Sequence, residues 1–172
     1  MVLDTPTLFG ETTKSGGDEF FVSEAEQALT PRLVVKLANE SVTNSTTMQD
    51  DDELFMSVSA DSVYYFKVSL QASSAELTRD LDYTFTGPTN STGRFWVTIT
   101  ASQLATDKWV LDFGDETGHG DTTTQIRTFE GEGFIRTGNT AGNLQLQWAM
   151  GYAGAGDSTV VLAGSFLEVI KQ

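Results

Sequence analysis

Apolar and polar residues alternate with a period of two through most of this chain, the signature of strands with one buried face. Leu33, Val35 and Leu37 alternate with Val34 and Lys36, and Leu54, Met56 and Val58 alternate with Phe55, Ser57 and Ser59. Tyr64, Phe66, Val68 and Leu70 oppose Val63, Tyr65, Lys67 and Ser69. The same phase holds for Leu81, Tyr83 and Phe85, for Phe95, Val97 and Ile99, and for Leu144, Leu146 and Trp148. Turn signals rich in Gly, Asn and Pro separate the runs at 87–93, 113–121, 137–142 and 151–157. Repeated short strands of this kind predict an all-β, antiparallel sandwich or jelly roll over residues 32–172, with Leu54, Phe66, Val68, Tyr83, Phe85, Val97, Leu146 and Trp148 in its core. One helical turn or loop is expected at Ser102–Asp107.

Residues 1–31 break the pattern. Gly10, Gly16 and Gly17 interrupt a polar stretch bracketed by Pro6 and Pro31, so this segment reads as an extended N-terminal arm. Ser23 lies three positions before Glu26, a weak capping box for a short helix that Pro31 ends. Phe9, Phe20, Phe21 and Val22 are too few and too interrupted to form a core, which predicts that they dock on a partner.

Composition narrows the function classes. A chain of 172 residues fits one domain that buries roughly 70% of its unfolded surface. It contains no Cys, which excludes disulfides, thiolate catalysis and Cys-based zinc sites. The formal charge of -14 repels phosphate backbones and anionic lipids, so neither nucleic acid nor membrane is expected as a partner. No run approaches the roughly 20 apolar residues of a membrane span, and a soluble protein made in the cytoplasm is expected. Acidity of this size suits a protein kept soluble at high local concentration, one that docks on a basic surface, or one adapted to salt.

Candidate chemistry is sparse. Asp50, Asp51, Asp52 and Glu53 offer oxygen ligands for calcium but lack the spacing of a calcium loop, and the plainer reading is an acidic turn opening the strand at Leu54. Asp115, Glu116, His119 and Asp121 cluster in a Gly-rich loop too flexible for a preorganised metal site. His119 is the sole histidine, and no Gly-x-Ser-x-Gly elbow accompanies it. Gly131-Glu132-Gly133 places an acid where a phosphate loop needs none. A pair of carboxylates for glycoside hydrolysis is invisible at this level. No catalytic residue, metal or cofactor is therefore assigned. Asn39, Asn44 and Asn90 sit in Asn-x-Ser/Thr sequons of the kind a Ser/Thr-rich chain produces by chance. Tyr65 beside Lys67, and Trp96 beside Thr98, fall on the polar side of their strands; with Tyr152 they are candidate subunit-interface residues.

Three strings resemble a known family. Gln49-Asp-Asp-Asp-Glu-Leu54 followed by Ala60-Asp-Ser-Val-Tyr64, then Asp82 to Pro88, then Ala141-Gly-Asn-Leu-Gln-Leu-Gln-Trp-Ala149 with Ala163-Gly-Ser-Phe-Leu167, look like ordered motifs of tailed-phage virion structural proteins. The resemblance spans most of residues 33–170. It implies a virion component and leaves its location open; the role expected here is non-enzymatic, a capsid decoration protein on the particle exterior bound to the major capsid protein or another virion protein. The outward pair Tyr65 and Trp96 and the Gly/Ala-rich segment Gly151 to Gly156 predict a homo-oligomer, and the resemblance, with the three-fold positions of capsids, favours a trimer. Alternatives are a tail- or head-fibre protein with glycan-binding loops and, from another class, a glycan-active enzyme.

Overall fold

The computed structural model describes residues 30–74, 79–101, 105–115, 120–122, 126–154 and 156–172. The arm with Phe9, Phe20, Phe21 and Val22, and Glu116 to His119 of the acidic loop, lie outside the described residues. Twelve strands follow in order: β1 (Arg32–Val35), β2 (Glu40–Thr43), β3 (Gln49–Val58), β4 (Val63–Ser74), β5 (Arg79–Thr86), β6 (Thr92–Ala101), β7 (Ala105–Asp112), β8 (Gly120–Thr122), β9 (Arg127–Arg136), β10 (Gly142–Met150), β11 (Ser158–Val161) and β12 (Phe166–Lys171). No helix occurs among the described residues. The helical turn expected at Ser102–Asp107 is corrected in part, because Ala105, Thr106 and Asp107 open β7 and pair with β6.

All pairings are antiparallel, and they form two sheets. The larger runs β1-β12-β4-β9-β6-β7, with β11 and β2 attached beside β4; the smaller runs β3-β10-β5-β8. The two sheets pack as a sandwich around one core. The eight core positions expected from alternation, Leu54, Phe66, Val68, Tyr83, Phe85, Val97, Leu146 and Trp148, are all buried. Phe66 and Phe85 pack tilted against each other at 4.6 Å between ring centroids, and Phe85 meets Phe95 edge-on at 5.3 Å, so aromatic rings fill the space between the sheets. Gly133 of β9 makes room for them: a Cβ there would lie 2.4 Å from the Arg94 carbonyl oxygen and 2.7 Å from the Phe66 ring.

The first strand departs from its expected phase. Leu33, Val35 and Leu37 point to solvent, Leu37 being 85% exposed, whereas Lys36 is only 2% exposed. Among the described residues β1 is the terminal strand of the large sheet, paired only with β12, and its inner side faces β3 of the opposite sheet. There Val34 packs on the core and Lys36 meets carboxylates. The Lys36 backbone continues the edge past β1, donating its N–H to the Ser165 carbonyl at 2.8 Å and accepting from Gly164 N–H at 2.9 Å.

The acidic run Asp50 to Glu53 is likewise not a turn. It lies inside β3, at a bulge where the register against β10 slips between Gln145, opposite Phe55, and Gln147, opposite Asp50. The bulge leaves backbone N–H groups without ladder partners, and Asp51 turns inward to accept them: its Oδ1 takes Glu53 N–H at 3.0 Å and Leu54 N–H at 2.8 Å. Gln145 donates its side-chain amide to the Asp51 carbonyl at 2.9 Å, closing the irregularity from β10.

Candidate functional site

Two places in the fold gather polar chemistry: the outer face of the large sheet and the closed edge between β1 and β3. On the outer face, strands β4, β9 and β6 lie side by side, and the residues that alternate away from the core line up across them. Tyr65 is opposite Phe134, Lys67 opposite Glu132, and Trp96 opposite Glu132 from the other side. Glu132 is therefore the centre of the patch. Trp96 donates its indole N–H to Glu132 Oε1 at 2.6 Å, and the Tyr65 hydroxyl donates to Glu132 Oε2. Phe134 fills the remaining space, its ring centroid 5.2 Å from Tyr65 and 5.9 Å from Trp96. Lys67 sits over the Tyr65 ring with its ammonium 5.8 Å from the centroid.

One carboxylate thus holds two aromatic rings upright on a surface where they would otherwise rotate freely. Burial pushes the Tyr65 hydroxyl up, and its hydrogen bond to Glu132, with the charges of Glu132 and Glu168, takes it to about 12. Tyr65 is consequently neutral and a donor throughout the physiological range.

Trp96 divides this face into halves of opposite character. On one side lies an open groove of about 1100 Å³ whose walls include Arg94, Val110, Phe134 and Arg136. On the other, a smaller hollow of about 390 Å³ is bordered by Glu130, Glu132 and Glu168, with Lys67 among them. Phe134 and Val110, both in the groove, remain 44% and 67% exposed, so this half also carries apolar surface. Arg94 is braced by Asp112, with Nε 2.5 Å from the carboxylate.

Of the three interface residues expected from sequence, the structure brings together Tyr65 and Trp96. Tyr152 is exposed on the connection from β10 to β11, and β11 pairs with Ala72, Ser73 and Ser74 at the far end of β4 from Tyr65. Glu132 and Phe134, which complete the cluster, were missed. Their alternation with Gly131, Gly133 and Ile135 is visible in the sequence, but the two glycines hide which face is buried.

At the second place, Lys36 Nζ lies 2.9 Å from both Asp51 oxygens and 2.6 Å from Glu40 Oε2. Trp148 donates its indole N–H to Asp51 Oδ2 at 3.2 Å. Glu40 is steadied by Asp52 N–H at 3.2 Å and by the Gln49 amide at 3.3 Å. Burial works to lower the Lys36 ammonium, but hydrogen bonds and charge from Glu40 and Asp51 outweigh it and hold the group above its ordinary value. The side chains of Lys36 and Asp51 are 1% and 0% exposed.

Asp50 and Asp52 point away from Asp51, as strand alternation requires, so the acidic run does not converge on one point. Among the described residues, no group of three metal-ligating side chains is placed to hold an ion. The sequon residues have backbone duties. Asn39 accepts Ala163 N–H at 2.9 Å, Asn44 accepts Gly156 N–H at 3.0 Å, and Asn44 and Asn90 adopt positive φ of 52° and 63°.

The motifs that carry the family resemblance meet in three dimensions. β3 holds the Gln-Asp-Asp-Asp string and β10 the Leu-Gln-Leu-Gln-Trp string, and the two pair directly. Gln147 donates to Asp50 at 2.7 Å and Trp148 to Asp51, while the Ala163-Gly-Ser165 string pins the Lys36 backbone. Tyr64, which ends the Ala-Asp-x-x-Tyr string, accepts Ser59 N–H at 2.8 Å. These residues secure the sandwich.

No family model and no curated protein matches the chain. Among solved structures, it is similar over 94% of its length to a chain in the structure of infectious bursal disease virus Gx strain, at 9% identity and a TM-score of 0.22. A chain of the Gt strain structure gives 94%, 10% and 0.23. The protein spans 40% and 42% of those two chains. Likeness at this level does not establish a shared fold, and neither match supports the tailed-phage identity that the motifs imply.

Proposed function

We propose that this chain is a non-enzymatic virion structural protein, and within that class a capsid decoration protein on the particle exterior. The β-sandwich is the body of a homo-oligomer, with a trimer favoured, and residues 1–31 attach it to the major capsid protein or another virion protein. The observation that carries the self-association is the divided outer face. Arginines flank one side of Trp96 and glutamates the other, so the Arg94/Arg136 half of one copy is complementary to the Glu130/Glu132/Glu168 half of the next. A contact between two different halves is head-to-tail, and such contacts form a ring where the rotation between copies closes and a filament where it does not, so a trimer requires a three-fold rotation. The virion assignment itself rests on the ordered motifs in the sequence. A sandwich whose irregular edge is pinned by side chains suits a protein that meets crowding and repeated partners.

The experiment is light scattering on the full chain and on Trp96→Ala, followed by a particle image with the chain traced. A concentration-dependent trimer that Trp96→Ala reduces to monomer agrees with the proposal. A monomer at every concentration, both free and on particles, refutes it. Tyr65, Trp96 and Phe134 grouped around polar side chains also suit a sugar ring, as the fibre alternative requires. Saturable glycan binding by a monomer that Trp96→Ala abolishes would favour that reading.

A further inference from the structure

We infer that Lys36 and Asp51 condense into an intramolecular amide bond that staples the two sheets of the sandwich, with Glu40 moving the proton. The arrangement holds each part such a reaction needs. The nucleophile and the carbonyl carbon belong to buried side chains, with Nζ 2.9 Å from both oxygens of the Asp51 carboxylate. Each backbone is fixed independently: Lys36 by its pair of bonds to Gly164 and Ser165, Asp51 by the β3 bulge and Gln145. Holding two reactants at this separation removes the translational and rotational entropy cost that the same amide formation carries between separate molecules.

The chemistry balances without any co-reactant. Lys36 enters as an ammonium that Glu40 and Asp51 stabilise, so the nucleophile is the minor state, reached when one proton passes to Asp51 and leaves a free amine beside a carboxylic acid. The amine lone pair attacks Cγ, and the C–N bond forms. Negative charge gathers on Oδ1, which already accepts the N–H groups of Glu53 at 3.0 Å and Leu54 at 2.8 Å, two fixed donors of the kind that stabilise an oxyanion. Glu40 Oε2, 2.6 Å from Nζ, takes the second nitrogen proton and returns it to the Oδ2 hydroxyl. Oδ2 leaves as water beside the Trp148 N–H, the C–O bond breaks, and the products are a secondary amide and one water. Nothing is oxidised or reduced, and Glu40 ends as it began. Its side chain is 14% exposed, against 0% for Asp51, which places it on the side from which water departs.

This inference is independent of the virion reading, since it depends only on the described body. The test is the mass of the purified full chain. The expected result is a protein lighter than its sequence by one water. After denaturation, trypsin should leave Leu33 to Lys67 as a single peptide, uncut at Lys36 and lighter by the same water. Glu40→Gln keeps both reacting groups and should slow the condensation by roughly 10²–10⁴-fold, giving full-mass protein cut at Lys36. Asp51→Asn changes the leaving group, so that variant should lose one ammonia in place of water. A folded wild-type chain that keeps its full mass and is cut after Lys36 overturns the inference and leaves an ion pair. Condensation at the wild-type rate in Glu40→Gln overturns the role of Glu40.

Discussion

Gly133 and Gly114 separate two ways in which a single residue limits this fold. A Cβ on Gly133 would press on the Arg94 carbonyl and the Phe95 backbone, 2.4 Å and 2.8 Å away, and backbone within a sheet yields poorly. Gly133→Ala is expected to lower unfolding free energy by about 1–3 kcal/mol in urea titration. At Gly114 nothing lies within 4 Å of an added Cβ, but φ is +92°, so Gly114→Ala is strained through its backbone alone and is expected to cost about 1–2 kcal/mol. Tyr65 provides a pH-dependent counterpart. Its folded-state value, about 12, lies above its ordinary 10.0, so its contribution to stability is complete below pH 10 and is lost as pH rises toward 12. The stability advantage of the wild type over Tyr65→Phe should therefore shrink across that window, and the native phenolate absorbance should lose its step near 12 in the variant.

Strands show where sequence reading reaches and where it stops. Leu33, Val35 and Leu37 are exposed, so replacing all three with Ser should shift the stability of the body by no more than about 0.5 kcal/mol per site. Thermal melts of the triple variant check this, and a large loss would mean that these residues are covered. The interior strands β4, β5, β6 and β10, and the Leu54–Val58 half of the edge strand β3, were readable because each has one face on the core and its apolar phase reports that face directly. β1 was misread because an edge strand buries its side chains against whatever the opposite sheet presents. Here that is the Asp51 carboxylate, joined by Glu40 from β2 of the same sheet, so Lys36 is inside and three apolar neighbours are out. The acid run misled for the same reason: Asp51 is buried by a bulge, and a bulge leaves no periodic mark. Tyr65 and Trp96 were visible as outward aromatics, whereas the carboxylate joining them came from a third strand, which only the strand order reveals.

For the whole molecule, the proposed assembly carries its own salt signature. If arginine and glutamate halves meet between copies, raising the ionic strength should weaken association, and Arg136→Glu should abolish it at low salt while leaving the melting curve of the body unchanged. Light scattering across a salt series decides between this and an interface driven by Phe134 and Val110 alone, which salt would strengthen. Deleting residues 1–30 should give a folded, soluble body that no longer attaches to particles. Attachment equal to that of the full chain would move the anchor into the sandwich loops.

The pairing of the first strand with the last also sets a clock. Arg32 lies in register with Val169 and Val35 with Phe166, so the ribosome delivers β1 long before its partner exists. Closing so large a loop is among the slow steps available to a β-protein. Until β12 emerges, the apolar residues of β1 and the unpaired edge of β4 are both open to neighbouring nascent chains. Yield in cells should thus depend on how quickly synthesis passes residue 166, and chains stalled before that point are the ones that should aggregate.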